Sequence, residues 1–129
     1  MQEITMTDEN FIKLERIVYD NDLEAFKKEF GNGMDVNLQN TYGWTPLHIA
    51  IRRDRRDMVT YLLEQGADID KVDGVGWTPL MEAVMDDMTE LCAFLIEKGA
   101  NVTIANERGG TAGMLVQKFG RESMLKYFQ

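Results

Sequence analysis

The sequence predicts an all-α solenoid of four stacked 33-residue helix-turn-helix-hairpin units, with degenerate first and last units acting as caps. Three observations carry this. The string GWTPLHIA at 43–50 recurs as GWTPLMEA at 76–83, and LLEQGADI at 62–69 recurs as LIEKGANV at 95–102, both displaced by 33 residues. Residues 40–72 laid over 73–105 without gaps share 11 identities in 33, where ordinary composition gives roughly two. Within each unit the apolar residues have helical spacing, and the stretches between them are rich in Asp, Asn and Gly, the residues of turns. A period of this length marks a solenoid, whose units stack because none buries its apolar face alone.

The elements follow in order. The same register extends upstream, where Leu14, Ile17, Val18, Ala25 and Phe26 fall at the positions of Leu47, Ala50, Ile51, Met58 and Val59. In the second unit Leu47, Ala50 and Ile51 mark one short helix, and Met58, Val59, Leu62 and Leu63 mark another. Thr45 and Thr78 are expected as N-caps with Pro46 and Pro79 at the first helical position, where the missing N–H costs nothing. Gly66 and Gly99, with Gly33 in register, are expected to end the second helices in the left-handed conformation. Downstream, Gly109, Thr111, Val116, Met124, Leu125 and Phe128 fall at the positions of Gly76, Thr78, Ala83, Leu91, Cys92 and Leu95. The unit boundaries are therefore about 7–39, 40–72, 73–105 and 106–129, within a single domain spanning 1–129.

Gly43-Trp44-Thr45-Pro46-Leu47-His48-Ile49-Ala50 and Leu62-Leu63-Glu64-Gln65-Gly66-Ala67-Asp68-Ile69 resemble the ankyrin repeats in unit length, helix pair and signature. The likeness covers nearly the whole chain. It departs from the family pattern at Asp54 and Asp87, where Gly is usual between the helices, at Met81 in place of the motif His, and at Ala112-Gly113 in place of Pro-Leu. The fourth unit is expected to be the less rigid one. Lys13, Arg16, Lys28 and Glu29 in the first unit, and Gln117, Lys118, Glu122, Ser123 and Lys126 in the last, give polar outer faces. Such capping is expected of a stand-alone protein.

Composition narrows the function. The formal net charge is -8, from 14 basic and 22 acidic residues, which disfavours nucleic acid and favours a basic partner. The charge is uneven, with six acids and one base in 73–105 but two acids and four bases in 106–129. The longest apolar run, Leu91 to Ile96, falls far short of the ~20 residues of a membrane helix. Met1-Gln2-Glu3-Ile4-Thr5 lacks the basic and apolar regions of a signal peptide. A lone cysteine, Cys92, fits a reducing, cytoplasmic location. No membrane partner is expected.

Catalytic chemistry finds no constellation. The only histidine, His48, completes the Thr-Pro-Leu-His motif, where the resemblance gives it a bracing role. One His and one Cys make no metal cluster, and Cys92 shares a core column with Phe26, Val59 and Leu125. Asp86 and Asp87 are helix neighbours whose side chains point apart. The glycines of 31–33 and 109–110 lack the Lys, Ser or Thr of a phosphate loop. The sequence calls for no enzyme activity, cofactor or metal.

The basic run Arg52-Arg53-Asp54-Arg55-Arg56 leaves nucleic-acid contact as a minor alternative. Register offers pairing across repeats instead, with Asp20, Arg53 and Asp86 in one column and Tyr19, Arg52 and Met85 in the next. Repeat stacks bind through their inner, concave surface, and the resemblance places partner-reading positions at the hairpin tips and first-helix ends. The tip candidates are Thr41, Tyr42, Trp44, Gly74, Val75, Trp77, Glu107 and Arg108. The first-helix candidates are Tyr19, Asp20, Arg52, Arg53, Met85, Asp86, Lys118 and Phe119. Trp44 and Trp77, one repeat apart, are expected side by side with Tyr42 close, either anchoring a partner within a rim of Asp20, Asp86 and Glu107 or covering the hairpin base. The function expected is non-catalytic protein binding by a monomer. A cytoplasmic inhibitor or immunity-type protein acting on a basic toxin or enzyme is the first reading, and an adaptor or regulatory subunit is the alternative.

Overall fold

The computed structural model describes residues 6–129, with side chains from residue 8 onward. The opening residues read against a signal peptide therefore lie outside the described residues. The described chain folds into α1 (Met6–Tyr19), α2 (Leu23–Gly31), α3 (Pro46–Arg52), α4 (Arg56–Glu64), α5 (Pro79–Met85), α6 (Thr89–Glu97), α7 (Ala112–Lys118) and a 3₁₀ helix (Glu122–Tyr127). First helices stack as α1, α3, α5 and α7, and each packs on the second helix of its own unit. The solenoid and its four-unit register are as the repeats require.

Local chemistry sets the boundaries. Thr45, Thr78 and Thr111 are extended N-caps whose hydroxyls accept the amides of His48, Met81 and Met114, each satisfying one of the helix's unpaired first-turn donors. The third cap works without proline, since α7 begins at Ala112. Between the helices of each unit the chain turns through one left-handed residue, in order Asn21, Asp54, Asp87 and Gly120, with φ of 55°, 56°, 58° and 65°. Asn and Asp tolerate this region through local polar contacts, which explains why the aspartates can stand where the resemblance leads one to expect glycine. Gly33, Gly66 and Gly99 follow the second helices at φ of 102°, 88° and 98°.

The core runs the length of the stack. Leu14, Leu47 and Leu80 form one buried column, and Phe26, Val59 and Cys92 another. In the fourth unit the leucine column reaches Gly113, and the Phe128 ring packs over the vacant position. Leu125, the register mate of Cys92, is only partly buried there. The second helix of this unit is six residues of 3₁₀ geometry, shorter and poorer in hydrogen bonding than the α4 and α6 it follows.

The connecting segments differ from the hairpins expected, because the described residues form turns there and no strand. Side chains replace the missing ladder. Asn40, Asp73 and Asn106, 33 residues apart, each accept two backbone amides, those of Tyr42 and Trp44, Val75 and Trp77, and Arg108 and Gly110. One polar oxygen therefore closes each tip. Adjacent tips join through Gly74 N–H to Tyr42 O at 2.9 Å and Glu107 N–H to Val75 O at 3.3 Å. A Cβ on Gly43 would lie 2.4 Å from Gly74 N, so the close approach needs glycine there.

Candidate partner-binding surface

Among the described residues, the tips and the ends of the first helices form two separate hollows. The first is a small one of about 190 Å³ between α1 and α3, lined by Glu15, Val18, Trp44, Ile49, Arg52 and Arg53. Tyr42, 65% exposed, stands beside it with its ring centre 5.2 Å from that of Trp44. Arg52 lies over the Trp44 ring at 4.2 Å and binds Glu82 at 2.6 Å. Arg53 lies over Tyr19 at 5.1 Å. Burial pushes the Glu15 carboxyl above its ordinary range, against the pull of Arg52 and Arg53.

The second hollow is a groove of about 580 Å³ between the tip loop at 106–110 and α7. It gathers the predicted residues Val75, Trp77, Glu107, Arg108, Lys118 and Phe119. Met114 and Leu115 complete its apolar wall. Met114 is in register with His48 and Met81, both buried, but is itself 57% exposed.

The expected aromatic cluster is thus divided. No ring contact joins Trp44 to Trp77 among the described residues: Trp44 pairs with Tyr42 and Arg52, and Trp77 belongs to the second groove. The tip separation is bridged by polar backbone contacts, with the His48 ring inserted below. Thr45 N–H donates to His48 Nδ1 at 3.3 Å, so Nε2 carries the hydrogen and donates to the Trp77 carbonyl at 2.9 Å. The bracing role implied for His48 therefore reaches into the next unit. Burial lowers its pKa from the ordinary 6.5, with the Trp77 carbonyl bond acting in the opposite direction.

The arginine run makes contacts across the stack, with partners other than those the columns suggested. Asp20 pairs with Arg16 on its own helix at 3.2 Å, not with Arg53. Arg56 binds Glu90 at 2.7 Å. Arg55 donates to the carbonyls of Val18 and Tyr19 at 2.9 and 2.8 Å, and Arg121, two units on, repeats this with Val84 and Met85 at 3.1 and 2.7 Å. Thr41 is spent on Asp8, which accepts from both its amide and its hydroxyl. Asp86 is exposed on the helix end, its carboxyl held above the ordinary range by partial desolvation first and by Glu82 second. Met85 and Asp86 line neither hollow.

Of the residues now seen to line the two hollows, Glu15, Met114 and the largely buried Leu115 were not singled out from sequence. The signal for Glu15 and Met114 was register, since both occupy the motif-His position in the first and last units. Elsewhere, burial pushes the Cys92 thiol up to about 11, keeping it protonated within the core. Among the described residues no His, Cys, Asp and Glu cluster could hold a metal ion, and no helix is long and apolar enough to cross a membrane.

Comparison with known proteins agrees with the geometry. The pattern of ankyrin repeats in three copies matches residues 14–106. The ankyrin repeat domain-containing protein 40 of mouse is 45% identical over 47 residues, which are 36% of this chain and 13% of that protein. The human protein of the same name matches to the same extent. The matched stretch is thus a small part of those relatives. With the repeat pattern spanning most of its length and the helix pairs, caps and tips in place, the chain belongs to the ankyrin-repeat family of protein-interaction modules.

Proposed function

We propose that this chain is a non-catalytic, cytoplasmic inhibitor of immunity type, which as a monomer binds a basic partner protein through the face formed by its tips and first-helix ends. The observation that carries the reading is the convergence of exposed Tyr42, Val75 and Phe119 with two hollows on that face. Exposed aromatic and apolar groups beside concave ground supply the anchors that dominate binding energy. The net charge of -8 steers a basic partner toward the chain and repels acidic ones. Contact with nucleic acid is disfavoured further, since Arg52, Arg55 and Arg56 are engaged within the stack.

The test is capture of the partner by tagged protein from native lysate, followed by assay of that partner's own activity free and bound. A basic protein held one to one, with its activity abolished, is the expected result. A partner that is bound yet fully active makes the chain an adaptor or regulatory subunit and contradicts the inhibitory role.

A further inference from the structure

The groove beside α7 differs in charge from the chain that carries it. Its floor and walls are apolar, made by Val75, Trp77, Met114, Leu115 and Phe119, and three of these are about half exposed: Val75 52%, Met114 57% and Phe119 43%. Arg108 and Lys118 stand on its rim. Neither forms an ion pair among the described residues, although Lys118 lies over the Phe119 ring at 5.5 Å. Glu107 adjoins Arg108 in sequence but is not paired with it. The other two cations of the fourth unit are placed elsewhere, Arg121 on the carbonyls of Val84 and Met85 and Lys126 over Tyr127.

We propose that this groove receives a segment of the partner protein in which a bulky apolar side chain is flanked by carboxylates. The inference rests on the protein-binding reading above and reverses its charge at this one place. An apolar anchor fills the floor, where displacement of water from aromatic and aliphatic walls supplies affinity. Carboxylates on either side meet the two unpaired cations, and these charge-assisted contacts set the register of the segment. The tip backbone contributes no donors: the amides of residues 106–110 are all given to Gly110 O, Val75 O, Asn106 Oδ1 and Asn106 O. An anion at this place is therefore recognised by Arg108 and Lys118 and not by a backbone nest.

Selection of a random peptide library displayed on phage against the whole chain tests this, followed by fluorescence anisotropy of the most enriched peptide. The expected peptides carry Asp or Glu beside Trp, Phe, Leu or Met. Lys118→Glu and Arg108→Glu are each expected to weaken binding by about tenfold, and added salt to weaken it in the wild type. Phe119→Ala, checked for fold by circular dichroism, should lose at least as much, and Gln65→Ala, at an exposed position that lines neither hollow, should change nothing. Lys118→Glu alters only an exposed side chain and keeps the test decisive if Phe119→Ala unfolds. Failure of any peptide to enrich, or affinity indifferent to Lys118→Glu, overturns the proposal. Enriched basic peptides that depend on Tyr42 also overturn it, while leaving the basic-partner reading intact.

Discussion

His48 shows how much one side chain does in a repeat stack. It completes the Thr45 cap of its own helix and holds the Trp77 carbonyl of the next unit, and the first of these contacts requires the neutral ring, since Nδ1 accepts from the Thr45 amide. Because burial lowers its folded pKa below 6.5, the unfolded chain binds the proton more readily than the folded one. Stability from this group is therefore complete above about pH 6.5 and is lost as pH falls from there toward the folded value. Glu15 and Asp86, raised in the fold, act in the opposite sense and in the carboxylate range. Urea unfolding from about pH 8 down to about pH 5 should show the midpoint falling, and His48→Gln, whose amide supplies a donor and an acceptor but no titration, should flatten that slope. The caps and the core columns were legible from residue type and register, whereas Asp87, read as a helix neighbour of Asp86, is a left-handed turn residue beyond the end of α5. The pairings of Arg52, Arg53 and Asp20 were not legible, because a long side chain reaches past its own column to Glu82, to a ring face or to a helix neighbour, and register fixes only where its Cα stands.

At the scale of elements, helix pairs were readable from apolar spacing, whereas the connecting segments were not. Their Asp and Asn content pointed to turns, yet only the structure shows each of Asn40, Asp73 and Asn106 closing its tip by two amides in place of a strand pair. A second set joins units below the tips. Asp68 N–H donates to Asn37 Oδ1 at 2.8 Å, and Asn101 N–H donates to Asp70 Oδ1 at 2.9 Å. Arg55 and Arg121 clamp the first-to-second and third-to-fourth junctions, where each guanidinium satisfies carbonyls at the end of a preceding first helix. Met88 holds the equivalent place at the middle junction, which relies instead on His48, Arg52–Glu82 and Arg56–Glu90. Charged hydrogen bonds of this kind contribute about 1.5–3 kcal/mol when buried and less when half exposed. Arg55→Ala and Arg121→Ala are each expected to cost about 1 kcal/mol in urea unfolding, and the fourth unit with its 3₁₀ helix should lose amide protection first in Arg121→Ala, as read by hydrogen exchange.

The whole molecule has one apolar core along the stack and a face of tips and helix ends where exposed aromatic groups gather. The four-unit solenoid could be read from the period alone, since a 33-residue repeat leaves little choice of packing. The division of that face into two hollows could not, because it depends on tips that meet through backbone and on the exposure of Met114 on α7. Charge varies along the stack, acidic in the first and third units, balanced in the second and basic in the fourth, which suits a partner read by shape and charge together. The most direct measurement is amide hydrogen exchange on the complex with the captured partner, compared with the free chain. Protection confined to the tips at 41–44, 74–77 and 106–110 and to the ends of α1, α3, α5 and α7 is predicted. Protection centred on α2, α4 and α6, with the tips unchanged, would contradict the binding face and the function built on it.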